Sequence, residues 1–372
     1  MKKIIGLVIA VITTFFIVGC GAKKMKPYED TEVKYLDGGW VSVWADEFNG
    51  DKLDQTKWSY ETGGDGWGNN ELQYYTYDNT EVSDGTLKIF GRKEQKNNNQ
   101  YTSSRIVTSN KFNFKYGRVV ASAKLPVGKG TWPAIWMMPQ ESTYGHWPKS
   151  GEIDIMEYVG YEGNKVHASI HTEVYNHKNN THQTGSLKID NLTDDFHKYE
   201  LIWEPGFISI SVDDTNIKTF RYNPILDQAY DSNQAFPFDQ DFFLILNLAI
   251  GGDWGGLQGV DDKIFPAIFE VDYIRVYQKD YNYLDKSKPE TPYNVQESRL
   301  KKNSIIWVAP YDDIGVEYYN VYVDGEFYKK ANLPQITLKK LDKGKKYNIK
   351  IEAVDFTGKV SRMSEGFEHT FK

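Results

Sequence analysis

Short segments in which apolar and polar residues alternate follow one another through residues 40–278, and no stretch there sustains a helical period. Residues 86–90 and 208–212 are two such segments, and turn-forming pairs such as Asp84-Gly85 separate them from their neighbours. A period of two places successive side chains on opposite faces of a β-strand, and many short strands between turns are typical of sandwiches. The pattern therefore predicts an all-β chain with one large antiparallel β-sandwich at residues 35–280, a size that a single all-β domain can reach.

A second, shorter series of alternating segments occupies residues 292–372. A charged, proline-containing stretch precedes it, and we interpret residues 281–291 as a linker. The features that resemble a fibronectin type III domain are Trp307 on an early segment, a turn at residues 341–344 leading to Tyr347, and Ala353-Val354-Asp355 before Gly358. The sequence thus predicts a small second β-sandwich, for which a spacer role and weak ligand binding both remain open.

The N-terminus has the pattern of a secretion signal. Two lysines precede an apolar run at residues 4–19, which is shorter than a membrane-spanning helix needs and ends at Cys20. The residues before Cys20 resemble a bacterial lipoprotein processing site, which predicts a signal peptide at residues 1–20, a lipid on Cys20 and a tether at residues 21–34. The protein would then be extracytoplasmic and anchored to a bacterial membrane; a plain secreted protein and a signal anchor are the alternatives.

The composition excludes several classes of protein. The formal net charge is −7, which argues against a nucleic-acid partner because such proteins use Lys and Arg to neutralise phosphates. A single cysteine excludes an intramolecular disulfide framework and a cysteine zinc cluster. The 10 Trp and 26 Tyr exceed what core packing calls for, and their flat faces suit sugar rings.

The most informative segment is residues 151–157, in which acidic and apolar residues alternate at positions 152–155. Glu152 and Asp154 fall on one face of a strand, but regular alternation would bury the charge of Glu157 on the opposite, apolar face. A one-residue β-bulge at Ile155 or Met156 would turn Glu157 back, and bulges are over-represented beside active sites. The sequence predicts three convergent acids; a solvated acidic edge strand or a cation site is the alternative.

Two nearby carboxyl groups in different protonation states are what glycoside hydrolysis requires. One is ionised and acts as nucleophile or base, and the other is protonated and acts as the acid. Clustering supplies the difference, because the last proton of three close acids is hard to remove.

The acidic strand and its surroundings resemble glycoside hydrolase family 16, specifically its laminarinase branch. The matching segments are residues 46–50, 66–76, 132–139, 147–157, 167–172, 247–256 and 269–277. The resemblance implies a concanavalin-like jelly roll in which Glu152 is the nucleophile, Glu157 the general acid/base and Asp154 a group that tunes Glu152, with retention of configuration. It also implies that Met156, which lengthens the acidic strand by one residue, favours the β-1,3-glucan branch over mixed-linkage glucan.

Further site residues follow from the same resemblance. His171 would lie on a neighbouring strand and hydrogen-bond to Glu157 or the sugar, although a lone strand histidine is more often structural. We expect sugar platforms at Trp132, Trp136, Trp147 and Trp254, with core packing as the alternative. Polar contacts to sugar hydroxyls are expected from Asn69, Arg105 and Asn247, which could instead satisfy backbone groups in loops.

No cofactor is expected for the chemistry. The family often holds a structural Ca²⁺, which the resemblance places at Glu47, the carbonyl of Gly85 and Asp272, because oxygen-only ligands suit this ion. Acids in turns without a metal are the alternative.

Together these features predict a monomeric, lipid-anchored endo-1,3-β-glucanase that binds laminarin-like β-glucan. Two rival hypotheses remain. The first is a hydrolase of the same fold that acts on mixed-linkage β-glucan or a galactan. The second is a surface β-glucan-binding protein without turnover, although such proteins usually lose a catalytic acid.

Overall fold

The computed structural model describes residues 35–36 and 38–372. The predicted signal peptide, the lipid on Cys20 and the tether at residues 21–34 lie outside the described residues. None of the helices in the described part of the chain has the length and apolar character that crossing a membrane requires.

Strands dominate the described residues, with only two four-residue α-helices, α1 (Ser232–Ala235) and α2 (Tyr281–Leu284), and a few 3₁₀ turns. In chain order the strands are β1 (Tyr35–Leu36), β2 (Trp40–Asp46), β3 (Ser59–Glu61), β4 (Gln73–Tyr75), β5 (Thr80–Ser83), β6 (Thr86–Gly91), β7 (Tyr101–Ser103), β8 (Arg105–Val107), β9 (Gly117–Lys124), β10 (Thr131–Pro139), β11 (Glu152–Tyr158), β12 (Lys165–His171), β13 (Gln183–Lys188), β14 (His197–Glu204), β15 (Phe207–Val212), β16 (Thr215–Arg221), β17 (Phe242–Ile250), β18 (Ala267–Lys279), β19 (Tyr293–Glu297), β20 (Ser304–Val308), β21 (Val316–Val323), β22 (Glu326–Ala331), β23 (Gln335–Thr337), β24 (Lys346–Asp355) and β25 (Phe367–Thr370).

Two large antiparallel sheets form the main body. Within the described residues, one sheet has the order β1-β2-β18-β9-β14-β15-β16, with β6 and β5 added beside β18. The other has the order β13-β12-β11-β10-β17-β8-β3. Apolar side chains of both sheets, including Ile89 and Leu201 from the first and Ile153 and Leu246 from the second, belong to one buried cluster. The predicted all-β sandwich is therefore confirmed, and its second sheet carries the acidic strand β11 near its middle.

The C-terminal strands form two smaller sheets, β19-β20-β23 and β22-β21-β24-β25, with a separate apolar core around the fully buried Trp307. The Tyr347 hydroxyl accepts a hydrogen bond from the backbone N–H of Asp342 at 2.9 Å. A corner tyrosine in a sandwich makes the same type of contact to the backbone a few residues upstream. Tyr347 therefore makes the kind of backbone contact that the resemblance of residues 292–372 to a fibronectin type III domain implies.

The segment predicted as a linker is not free of contacts. Helix α2 occupies its first four residues, and the ring of Tyr281 stacks on Phe356 with centroids 4.1 Å apart. Asp285 accepts a hydrogen bond from Lys359 Nζ at 2.7 Å. Ring stacking and an ion pair therefore hold this connection against the C-terminal sandwich. The charged, proline-containing composition of the segment did not indicate these contacts.

Candidate active site

The bulge predicted in the acidic strand is present in β11. Asp154 pairs with Ser169 on β12 and Glu157 pairs with His167, so two residues of β11 stand opposite one residue of β12. On the other side, Trp136 of β10 pairs with Asp154, and its predecessor pairs with Met156. The side chains of Ile155 and Met156 are both fully buried in the core, and Glu157 returns to the face of Glu152 and Asp154.

The strand begins at a position where only glycine fits. Gly151 has φ +89°, and a Cβ there would lie 2.8 Å from the ring of Phe238. Glycine tolerates this conformation and leaves room for the ring, so the chain enters β11 with Glu152 directed into the cleft.

The surroundings of the three acids favour protonation of two of them. Burial raises the pKa of the Asp154 carboxyl well above its usual range, and the neighbouring charge of Glu152 adds to this effect. Burial likewise raises the pKa of Glu157 well above its usual range, with the charge of Asp154 as the next cause, while His171 and the Trp132 N–H oppose the shift. The site can therefore hold protons on Asp154 and Glu157 at a pH where ordinary carboxyl groups are ionised.

His171 lies closer to Asp154 than we expected from the sequence. It pairs with Glu152 across the β11–β12 ladder, and its Nε2 is 3.3 Å from Asp154 Oδ2. The expected hydrogen bond to Glu157 is not among its contacts in the described structure; the ladder register directs the imidazole towards the first two acids instead.

The raised pKa of Asp154 gives a stability prediction. Because the folded state holds this proton more tightly than the unfolded chain does, stability falls as the pH rises from the ordinary carboxyl pKa of about 4 through the raised value. Asp154→Asn removes the buried charge, so we expect its Tm at pH 8 to exceed that of the parent by ~2–4 °C and the gain to disappear at pH 4.5. Differential scanning calorimetry measures both, with the exposed Asp51→Asn as control. An equal Tm difference at the two pH values would contradict the assignment.

Tryptophans contact the acids through their ring N–H groups. Trp147 Nε1 donates to Glu152 Oε2 at 2.5 Å, and Trp132 Nε1 donates to Glu157 Oε1 at 3.2 Å. Trp254 packs edge-on against Trp132 with centroids 5.6 Å apart. Each of these rings therefore orients a carboxyl group or supports a ring that does so.

A polar network beneath the cleft was not predicted. The Glu71 carboxylate is buried and accepts hydrogen bonds from Gln73 Nε2 at 2.7 Å and Tyr75 OH at 3.1 Å. Asn247 donates to the Tyr75 oxygen at 3.0 Å and accepts from Trp136 Nε1 at 2.7 Å. Burial raises the pKa of Glu71, and the bonds it accepts oppose this shift. The network fixes Trp136 and Asn247 from below.

The remaining predicted polar contacts also have partners within the protein. Asn69 Nδ2 donates to Glu71 Oε1 at 3.3 Å. The Arg105 guanidinium lies 4.8 Å from the ring centroids of both Trp67 and Trp136, and its Nε donates to Glu61 at 2.5 Å. Stacking between two indoles restrains this arginine and leaves a fixed cation at the cleft wall.

These groups line one cleft with a volume of about 570 Å³. The predicted residues that line it are Asn69, Arg105, Trp132, Trp136, Glu152, Asp154, Glu157, His171, Asn247 and Trp254. Trp147 does not belong to the lining, since its ring lies against His177 and beneath Lys178. The lining residues that the sequence analysis did not predict include three from one loop, His177, Lys178 and His182. They belong to a polar loop without periodicity, and the only available signal was a cluster of three histidines at positions 171, 177 and 182.

Two of the residues predicted to hold Ca²⁺, Glu47 and Asp272, are partly buried in the described structure. Both oxygens of Glu47 accept from Arg275, at 2.6 and 2.7 Å, so a cation there would have to displace a guanidinium. Burial raises the pKa of Asp272. Gly85 has φ +79° in its turn, and its carbonyl is the remaining predicted ligand. The Ca²⁺ site stays a prediction.

Comparisons with known proteins agree on a family. The sequence model of glycosyl hydrolases family 16 matches residues 68–298, more than half of the chain. A beta-glucanase of Rhodothermus marinus is 48% identical over 245 residues, covering 64% of this chain and 85% of that protein. The glucan endo-1,3-beta-glucosidase A1 of Niallia circulans is 39% identical over 257 residues, covering 64% of this chain and 38% of that protein. The X-ray structure of the Rhodothermus marinus laminarinase superposes with a TM-score of 0.63 at 47% identity, covering 64% of this chain and 98% of that one.

Proposed function

The chain belongs to glycosyl hydrolases family 16, and from this membership and its cleft we propose that it cleaves internal β-1,3-glucosidic bonds of laminarin-like β-glucans with retention of configuration. The observation that carries the proposal is the bulged strand β11, which presents Glu152, Asp154 and Glu157 to one tryptophan-walled cleft. Two of these acids have raised pKa values and the third accepts a short N–H bond.

The chemistry follows from the protonation states. Glu157, whose raised pKa keeps a proton on it, donates that proton to the leaving glycosidic oxygen. The Glu152 carboxylate attacks the anomeric carbon and forms a glycosyl ester, which water then hydrolyses with Glu157 acting as the base. Asp154 carries a proton that it shares with Glu152, and releasing that hydrogen bond frees the nucleophile as the ester forms.

The preference for β-1,3 linkages rests on two supports. The relatives include a protein named as an endo-1,3-beta-glucosidase and a solved laminarinase. Within this chain, the additional residue in β11 is the feature that the family resemblance associates with β-1,3-glucan. Trp132, Trp136 and Trp254 offer apolar faces to successive glucose rings.

We further propose that the enzyme is extracytoplasmic and held to a bacterial membrane by a lipid on Cys20. The support is the pattern of the first 20 residues, in which two lysines precede an apolar run that ends at the single cysteine. A polysaccharide substrate outside the cell is consistent with this location. For the C-terminal sandwich, the Tyr347 contact supports a fibronectin type III domain.

A substrate panel tests the proposal. Residues 21–372 and the Glu152→Gln form are incubated with laminarin, lichenan and agarose, and new reducing ends and product lengths are measured. We expect the parent to release a range of oligosaccharides from laminarin fastest, and the variant to release almost none. Activity on agarose alone would contradict the proposed substrate. Binding of laminarin without new reducing ends would favour the rival hypothesis of a glucan-binding protein.

A further inference from the structure

A loop at residues 172–182, here called the cleft-end loop, forms one end of the cleft through His177, Lys178 and His182. The Lys178 Nζ lies 4.8 Å from the ring centroid of Trp147, and the His177 ring lies 5.2 Å from it. Trp147 in turn donates its N–H to Glu152. The position of this loop therefore determines both the shape of the cleft end and the surroundings of Glu152.

The cleft-end loop is held from outside by residues 222–240, here called the docking segment. The backbone N–H of Val174 donates to the Gln234 carbonyl at 3.2 Å. The Tyr175 hydroxyl donates to the buried Asp227 carboxylate at 2.6 Å, and Gln234 Nε2 donates to Glu173 at 3.3 Å. Three successive residues of the cleft-end loop thus form hydrogen bonds with the docking segment.

The docking segment is in turn held by the C-terminal sandwich. Gln335 of β23 is only 3% exposed; its Nε2 donates to the Tyr230 carbonyl at 2.9 Å, and its Oε1 accepts from the Tyr222 hydroxyl. Ser298 Oγ donates to the Gln228 carbonyl at 2.9 Å. A buried amide with partners on both of its ends is costly to leave unpaired, so this contact favours one docked arrangement.

Asp231 links the C-terminal sandwich to the cleft-end loop through helix α1. Its carboxylate accepts from Thr337 Oγ1 at 2.5 Å and pairs with Lys301 Nζ at 3.0 Å, both from the C-terminal sandwich. Asp231 is also the N-cap of α1, where it forms a capping box with Gln234. The residue that bonds to the cleft-end loop is therefore fixed by a cap that the C-terminal sandwich holds.

A second route reaches the acidic strand itself. Asn332 of the C-terminal sandwich donates to Asp239 at 2.6 Å. The next residue, Gln240, donates to the carbonyl of Ser150 at 3.1 Å, two positions before Glu152. Leu333 adds apolar contact, because it is 5% exposed and belongs to the core cluster of the large sandwich.

From these contacts we propose that the C-terminal sandwich positions the cleft-end loop through the docking segment and so sets the affinity of the cleft for long glucan chains. Gln335 and Lys301 act as positioning residues. A spacer or an independently tethered binding module would not need buried polar contacts with the large sandwich. The consequence for glucan affinity rests on the proposed function, whereas the mechanical link does not.

The test uses Gln335→Ala, Lys301→Ala and Lys301→Arg in the full chain. Lys346→Ala is the matched control, because Lys346 lies in the same sandwich and forms only an exposed ion pair with Glu368 in the described structure. Hydrogen–deuterium exchange of peptides covering residues 172–182 is measured without sugar, and kcat and KM are measured on laminarin and on laminaritriose.

We expect Gln335→Ala and Lys301→Ala to raise exchange in the cleft-end loop by about 10-fold, since its opening would no longer be opposed by the docked sandwich. KM on laminarin should rise about 3- to 10-fold with kcat within about 2-fold, because a misplaced cleft end weakens binding more than chemistry. Lys301→Arg should restore both values, and Lys346→Ala should change neither.

Unchanged exchange at residues 172–182 in both alanine variants would overturn the proposal, even if the Tm falls. A fall in kcat with an unaltered KM would also overturn it. If Gln335→Ala does not fold, Lys301→Ala and its arginine rescue decide the outcome. Absence of hydrolysis by the parent would instead count against the proposed function, because the exchange measurement needs no substrate.

Discussion

Glu152→Gln is expected to lower kcat/KM on laminarin by about 10⁴-fold or more, because an amide of nearly the same shape cannot form the glycosyl ester. The side chain is half-buried, lines the cleft and accepts the Trp147 N–H at 2.5 Å. Gln can keep that bond through its carbonyl oxygen, so the fold and the cleft should persist. Initial rates of reducing-end release, with the Tm as a check on folding, measure the effect.

Glu141→Gln is the matched control for this variant, since Glu141 is an exposed carboxylate that does not line the cleft. Its rate should equal that of the parent. Glu152→Ala supplies a second check, because azide can enter the space left by the carboxylate and attack the anomeric carbon. We expect azide to restore turnover of an activated β-glucoside and to give an α-glycosyl azide. A Glu152→Gln form as active as the parent would overturn the assignment of the nucleophile.

Glu157→Gln is expected to lower the rate on laminarin by about 10²- to 10⁴-fold, the usual contribution of a general acid/base. The loss should depend on the leaving group. A 2,4-dinitrophenyl glycoside needs no proton on its leaving oxygen, so formation of the glycosyl ester should stay fast while its hydrolysis, which needs the base, becomes slow. A burst of dinitrophenol in stopped-flow measurements would show this. If the rate of glycosyl-ester formation falls equally on laminarin and on the dinitrophenyl substrate, the role of Glu157 as general acid is contradicted.

The same residue determines one limb of the pH profile. Burial raises the pKa of Glu157, and the first step needs its protonated form, so the rate should fall as the pH rises through that raised pKa. In Glu157→Gln this limb should vanish from the residual rate on laminarin, whose leaving group needs the proton. Persistence of the limb in the variant would assign it to another group, and the raised pKa of Asp154 makes that residue the first to examine.

The bulge in β11 could be predicted because two local rules conflict there. Strict alternation would bury Glu157 among apolar side chains, and a single additional residue resolves the conflict at little cost. The paired strands show this resolution, with both Ile155 and Met156 in the core. Where a charge and a period disagree within one strand, sequence reasoning can therefore reach the level of individual side chains.

The network under the cleft could not be predicted in the same way. Glu71, Gln73 and Tyr75 occupy every second position, which places their side chains on one face of an extended segment. This arrangement is compatible with solvent exposure of all three side chains. They are buried because β4 pairs with β7 and lies beneath Asn247 of β17, contacts between segments far apart in sequence. The contact between the C-terminal sandwich and the docking segment could not be predicted from the sequence for the same reason. In the sequence Gln335 is an ordinary polar residue, and its role becomes visible only from its hydrogen bonds to Tyr222 and Tyr230.

The most direct test of the central claim is to trap the glycosyl-enzyme. A 2-deoxy-2-fluoro-β-laminaribiosyl fluoride should trap the glycosyl ester, because fluorine at C2 slows both formation and hydrolysis of the ester while the fluoride leaving group speeds only its formation. Digestion and mass spectrometry then locate the sugar. We predict one 2-fluorolaminaribiosyl group per chain, attached to Glu152. Attachment to Asp154 or Glu157, or turnover of laminarin by a protein that never forms an adduct, would contradict a retaining β-1,3-glucanase that uses Glu152 as its nucleophile.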